Sequence, residues 1–241
     1  QGMAMAQYLI THLEDAGEHA AQPAEAIATL ISERRAYLDE LRRSGTLKDT
    51  ARLRPSRESK RVRLAEGKVQ VSEGPFVGEN KSFAGYYWVE TCSIEEATRI
   101  AQGCPGLFGD EFDVRPLMKG SVPKDKEANP GKLFVCAVLG NAPTEEGWVQ
   151  VMDRIDADTQ GSFPEAMFLG GLRLQSPKTG KRVVAQGERR AVFDGPFLES
   201  KEVIGGVFVI RTTSIDEAVR WAAKTRFIVH GALEIRELWR T

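Results

Sequence analysis

Apolar and polar positions along the chain switch between a period of two and a period of 3.6, and the switches occur in the same order twice. Ala6 to Leu13 is a β-rich run of strand length, with His12 near its end and the acidic turn Glu14-Asp15 behind it. From Pro23 to Arg43 the positions Ile27, Leu30, Ile31, Leu38 and Leu41 share one helical face, Pro23 suits a first turn, and Gly45 suits a stop. The opposite face carries Glu33, Arg34, Asp39, Glu40 and Arg42, the pattern of a solvated helix surface. Thr46 to Leu53 then predicts a strand, and Arg61 to Leu64 with Lys68 to Val71 a hairpin turning at Glu66-Gly67. A strand over Gly85 to Thr91 follows. Behind it lies the capping box Ser93-Ile94-Glu95-Glu96, opening a helix whose stripe is Ile94, Ala97, Ile100 and Ala101. Phe112 to Leu117 alternates like a last strand, with Pro116 marking its end or an edge.

The second half repeats the order. Lys132 to Leu139 predicts a strand, Thr144 to Asp158 a helix, Phe168 to Gln175 a strand and Arg182 to Val192 a hairpin. Gly206 to Thr212, the box Ser214-Ile215-Asp216-Glu217 and Leu233 to Arg236 complete it. Residues 73–117 align without a gap on 194–238, and thirteen of those forty-five pairs are identical. A repeat of this length means a duplicated domain rather than a solenoid. The expected boundaries are 3–119 for the first domain, a Pro/Gly-rich charged linker over 120–131, and 132–241 for the second.

Without its hairpin, each half reads βαββαβ, the ferredoxin-like α+β arrangement in which helices cover one face of an antiparallel sheet. Aromatic residues such as Tyr86, Trp88 and Phe208 are available to bury the other face, and a second copy is its natural cover. The expectation is two such halves packed sheet to sheet as an intramolecular dimeric α+β barrel.

Composition adds exclusions. With 41% hydrophobic and 28% charged residues and a formal net charge of -1, the chain can bury a core and has no global drive toward nucleic acid or an anionic membrane. Arg52, Arg54, Arg57, Lys60, Arg61 and Arg63 form a basic segment, but no interleaved aromatic residues would stack bases, so protection of a sheet edge is the favoured role. Cys92, Cys104 and Cys136 form no Cys-x-x-Cys pair, which argues against a disulfide framework and fits a cytoplasmic setting. No apolar run approaches a membrane span, and Gln1-Gly2 ahead of Met3 resembles a tag remnant.

The strongest local signal is Asp194-Gly195-Pro196-Phe197 and its echo Glu73-Gly74-Pro75-Phe76. Gly-Pro forces a bend, and an acidic residue before it can accept from backbone N–H groups there. The run Asp194 to Gly206 resembles the signature of the YCII-related proteins, also called the DGPF or DGPFAETKE family. Asp113-Val114-Arg115-Pro116-Leu117 is similar to their closing Glu-Val-Arg-Pro-Leu, as is Leu233 to Arg236 more loosely. The resemblance covers nearly the whole chain twice and implies a bacterial protein of ferredoxin-like subunits. It also implies genes often adjacent to extracytoplasmic-function sigma factors, and relatives in which a His and an Asp are the suspected working pair.

The matches are uneven: the second copy keeps Asp194, Glu199, Lys201 and Glu202, whereas the first has Glu73 and the histidine, His12. On this reading neither half holds a complete His-plus-Asp set. His12, His19 and His230 lack metal-site spacing, and no Gly-rich nucleotide loop or nucleophile elbow occurs, so neither metal nor cofactor is expected. Asp194 and His12 are the catalytic candidates, with Lys201, Arg236, Glu73 and Arg115 as ligand-binding candidates; the two arginines also suit pairing with Glu73 and Asp194 inside the fold. Two functions stay open: a small-molecule binder, with lyase- or isomerase-type acid/base chemistry, or a non-enzymatic partner of a sigma factor or other protein.

Overall fold

A computed structural model describes residues 4–76, 81–128, 130–140, 145–159, 163–196, 202–229 and 231–240. The first repeat contains β1 (Ala6–Asp15), α1 (Ala16–Ala21), α2 (Ala24–Arg43), β2 (Leu47–Arg52), β3 (Lys60–Ala65), β4 (Lys68–Glu73), β5 (Lys81–Thr91), α3 (Ile94–Gly103) and β6 (Glu111–Ser121). The second contains β7 (Lys132–Gly140), α4 (Glu145–Thr159), β8 (Phe168–Leu174), β9 (Lys181–Gln186), β10 (Arg189–Asp194), β11 (Val203–Thr212), α5 (Ile215–Ala222) and β12 (Gly231–Glu237). The α+β class and the repeated ferredoxin-like order are therefore present. Among the described residues, no helix is long and apolar enough to cross a membrane.

The chain forms two compact units that are not contiguous stretches. Unit 1 is Gln1–Arg52, Gly78–Leu117 and Thr179–Pro196; unit 2 is Leu53–Val77, Met118–Lys178 and Phe197–Thr241. Each unit is thus completed by the hairpin of the other repeat. In unit 1 the antiparallel order is β2-β5-β1-β6-β9-β10. In unit 2 it is β8-β11-β7-β12-β3-β4. Half-buried arginines fasten the borrowed hairpins: Arg182 of β9 forks onto Asp113 of β6 at 2.7 and 2.9 Å, and Arg61 of β3 contacts Glu234 of β12 at 2.8 Å. The two-oxygen fork of Arg182 on Asp113 is the stronger class of ion pair. Among the basic segment, Arg54 pairs with Glu58, Lys60 with Asp216 and Glu73, and Arg63 with Glu202, so these cations serve unit 2 internally.

Helices cover one face of each sheet. In unit 1, Tyr8, Ile10, Tyr87, Val89 and Val114 pack with Ala97 and Ala101 of α3. In unit 2, Phe134, Cys136, Val138, Phe208, Ile210 and Leu233 pack with Trp148 and Met152 of α4 and Ala218 and Ala222 of α5. This corrects the expectation for Phe208. It lies on the helix-covered face, in register with Tyr87 of the first repeat, while Tyr86 and Trp88 alternate to the opposite face with their polar atoms on Asp49 and Gln7. Ser93 and Ser214 cap their helices as expected, each accepting from the third helical residue at 3.2 Å, while Glu96 and Glu217 reach back one residue past the cap to the amides of Cys92 and Thr213.

Candidate active site

The two Gly-Pro corners close the hairpins and carry cis peptide bonds. Gly74 is required by crowding, since a Cβ there would stand 1.8 Å from the Ser56 carbonyl oxygen. The acidic residue before each corner does not brace the bend. Glu73 sits opposite Lys60 and Asp194 opposite Lys181 in the hairpin register, and their carboxylates pair across the strands at 3.4 and 2.8 Å, both largely exposed. A symmetric cross-strand ion pair explains why both copies keep an acid there.

His12 meets a different carboxylate. Its Nε2 stands 3.1 Å from Oδ2 of Asp110, which the turn after α3 presents just ahead of β6; the two side chains are 4% and 0% exposed. The first repeat therefore does hold a His-plus-Asp pair by itself, contrary to the sequence reading. A bulge between β1 and β5 at His12/Leu13 bends the strand beside it, as bulges near functional positions do. The imidazole stacks on Phe112 with centroids 4.5 Å apart and planes at 10°.

Asp110 gathers donors from several elements. Oδ1 accepts from the Asp15 amide at 3.0 Å and from Nε2 of His19 in α1 at 3.0 Å; Oδ2 accepts from the Leu107 amide at 2.9 Å. Arg34 of α2 brings Nη2 to 3.5 Å from Oδ2, places Nη1 3.0 Å from Glu14 and donates from Nε to the Pro105 carbonyl at 3.0 Å. Arg34 is therefore part of the site, not of a solvated helix face as its spacing suggested; its side chain is 12% exposed. The borrowed hairpin holds the loop: Gly109 donates to the Ala185 carbonyl at 2.7 Å, and the Ala185 amide donates to the Asp110 carbonyl at 2.8 Å.

These surroundings set the charges. Burial alone would raise the Asp110 pKa, but hydrogen bonds from His12 and His19 and the Leu107 amide hold it far below the usual carboxylate range. Burial lowers the pKa of His12, against its bond to Asp110, so this imidazole is neutral near pH 7. Burial opposes charge on His19 too, yet the Asp110 hydrogen bond and the charges of Glu14 and Asp110 carry its pKa above the ordinary value. Asp110, as an ionised acceptor, places a proton on Nε2 of each ring. Nδ1 of His19 faces Glu14 at 3.8 Å, beyond hydrogen-bond length.

Of the other predicted residues, Arg236 is buried in β12, where it donates to Glu234 at 3.0 Å and to the Arg54 carbonyl at 2.7 Å. Arg115 is buried in β6, with its pKa pulled down by burial to about 10. Both lie on final strands, as expected. Lys201, Phe197, Glu199 and His230 lie outside the described residues. The structure thus brings His12 together with His19, Asp110, Arg34 and Glu14, none of the latter four having been singled out from sequence. One signal was available: His12 and Asp110 are titratable where the second repeat has Val138 and Gly231.

The family model for the YCII-related domain matches residues 6–120 and 156–241. No curated protein matches the chain. Among solved structures, a candidate chlorite dismutase is 8% identical, with 98% of this chain and 95% of that one covered and a TM-score of 0.40. A mutant chlorite dismutase from Candidatus Nitrospira defluvii in complex with cyanide is likewise 8% identical, with 100% and 92% covered and a TM-score of 0.40. At such identity and score, these structures supply no argument about what this chain binds.

Proposed function

The chain belongs to the YCII-related family, and from that premise we propose that it binds a small molecule at the Asp110 cluster of unit 1 and carries out lyase- or isomerase-type acid/base chemistry there. The observation that carries this reading is one buried carboxylate holding two imidazoles whose pKa values are driven in opposite directions. Environments that push titratable groups apart are how one site holds an acid and a base at the same pH.

In this reading His19 exchanges the proton. It is the more exposed imidazole, its Nε2 is anchored, and its Nδ1 edge has no hydrogen-bonded occupant at Glu14. Asp110 fixes the tautomer and offsets charge on the ring as the proton arrives, the role a buried aspartate plays behind a catalytic histidine. His12, stacked on Phe112 and neutral, is a positioning residue that supplies one fixed donor to Asp110. Arg34 lies between the two carboxylates, 3.0 Å from Glu14 and 3.5 Å from Asp110, and places positive charge beside both.

The test is proton exchange. Short 2-hydroxy, 2-oxo and 3-chloro carboxylic acids are incubated with the protein in D2O, and loss of C–H signal or appearance of an alkene is followed by NMR. At least one class is expected to exchange or eliminate, and His19→Gln, folded by circular dichroism, is expected to slow it by about a hundredfold or more. Turnover undiminished in His19→Gln, or no turnover in any class, counts against the reading.

A further inference from the structure

Unit 2 contains a cavity of about 310 Å³ between β8 and α4, walled by Val138, Met152, Phe168, Leu172, Phe208 and Phe227. Register places it where unit 1 has its polar cluster. Val138 pairs with Gly206 and Leu233 as His12 pairs with Gly85 and Phe112, and a bulge falls beside each, at Ile204/Gly206 and at His12/Leu13. The duplicated position has lost its imidazole and, with Gly231 where Asp110 stands, its carboxylate.

We propose that this cavity is a second binding site, independent of the acid/base reading, for a planar aromatic acid of about two-ring size. The walls are carbon-rich, so water there would lack the polar partners that hold buried water. An apolar cavity of about 150 Å³ accommodates benzene; twice that volume suits two fused rings. The rings already present favour a flat guest: Phe208 stacks on Phe227 with centroids 5.2 Å apart at 23°, and Phe168 lies 5.8 Å from Phe208. Gly205 lets Met152 of α4 lie directly on β11, since a Cβ there would stand 2.2 Å from the Met152 methyl. The polar part of the lining is cationic. Lys119 borders the cavity, and Arg173 reaches from β8 to the Met152 carbonyl at 2.5 Å with its Nη2 3.4 Å from the largely exposed Asp153, so the cavity rim carries two cations against that one carboxylate.

Isothermal titration of the full chain with 2-naphthoate tests this. One equivalent is expected to bind, about tenfold tighter than 2-naphthalenemethanol. Val138→Phe, which fills the cavity, is expected to weaken the acid by about tenfold or more. Should that variant fail to fold, Phe227→Ala, which removes the stacked ring from the opposite wall, is expected to weaken it comparably. His19→Gln leaves this binding unchanged, which separates it from the site of unit 1. Absence of binding, binding indifferent to both cavity variants, an alcohol that binds as tightly as the acid, or loss in His19→Gln would overturn the proposal.

Discussion

Units 1 and 2 use one repeat to put opposite chemistry at one place on the sheet. In unit 1, His12 and Asp110 occupy it with His19, Arg34 and Glu14 around them; in unit 2, Val138 and Gly231 occupy it and an apolar cavity opens. The difference is concerted because a buried carboxylate without donors, or a buried imidazole without an acceptor, is costly by itself. Either the whole hydrogen-bonded set is present or none of it is needed. The backbone around the position barely distinguishes the two: the bulge, the strand order and the borrowed hairpin recur in both.

Removing the centre of the polar set should have the largest effect. Asp110→Ala leaves the buried His12 without its acceptor and takes the carboxylate away from His19 and from the amides of Asp15 and Leu107. A loss of about 3–5 kcal/mol in urea unfolding is expected; a loss under 1 kcal/mol would mean that water replaces the carboxylate. The reverse exchange in unit 2 is blocked by backbone, since a Cβ on Gly231 would lie 1.8 Å from the Leu139 carbonyl oxygen. Gly231→Ala should therefore cost about 2–3 kcal/mol by the same measurement. If it is neutral, the first repeat's carboxylate could be transplanted by side chains alone.

How legible this was in the sequence differs between fold and site. The order of elements followed from periodicity and capping boxes, because strands and helices are local and each was written twice. The hairpin exchange was not legible, since it depends on which strand edge Arg61 and Arg182 reach, a long-range choice that leaves the local pattern unchanged. Within the site, His12 stood out as a titratable residue in an apolar strand. Asp110 looked like any acidic residue in a Gly-Asp-Glu turn, and Arg34 like one more charge on an amphipathic helix, because helical spacing specifies a face but not whether a loop folds over it. Asp194 drew notice through a motif whose physical content is a glycine under backbone crowding and a cross-strand ion pair.

A milder exchange sharpens the comparison from the other side. His12→Val gives unit 1 the residue of unit 2 and removes one donor from Asp110 while His19, Arg34 and two amides remain. A cost of about 1–2 kcal/mol at pH 7 is expected. The His12 pKa is lowered in the fold, so the unfolded chain takes up the proton first and the wild type loses stability as pH falls below 6.5. The gap between His12→Val and wild type should therefore narrow between pH 7 and pH 5; a constant gap would place His12 in solvent.

The smallest effect distinguishes the two imidazoles on their shared carboxylate. The His19 pKa is raised in the fold by Asp110 and Glu14 against the opposing effect of burial, so protonation stabilises the native state. That contribution is fully present below pH 6.5 and is lost as pH rises through the folded value. His19→Gln should therefore differ from wild type by less than about 1 kcal/mol at pH 6, and the difference should shrink toward pH 8. This slope is opposite in sign to that of His12→Val, and unit 2 has no counterpart to either group at Val138. If both variants showed the same slope, Asp110 would not be holding one neutral and one protonated ring, and the division of roles between His12 and His19 would fail.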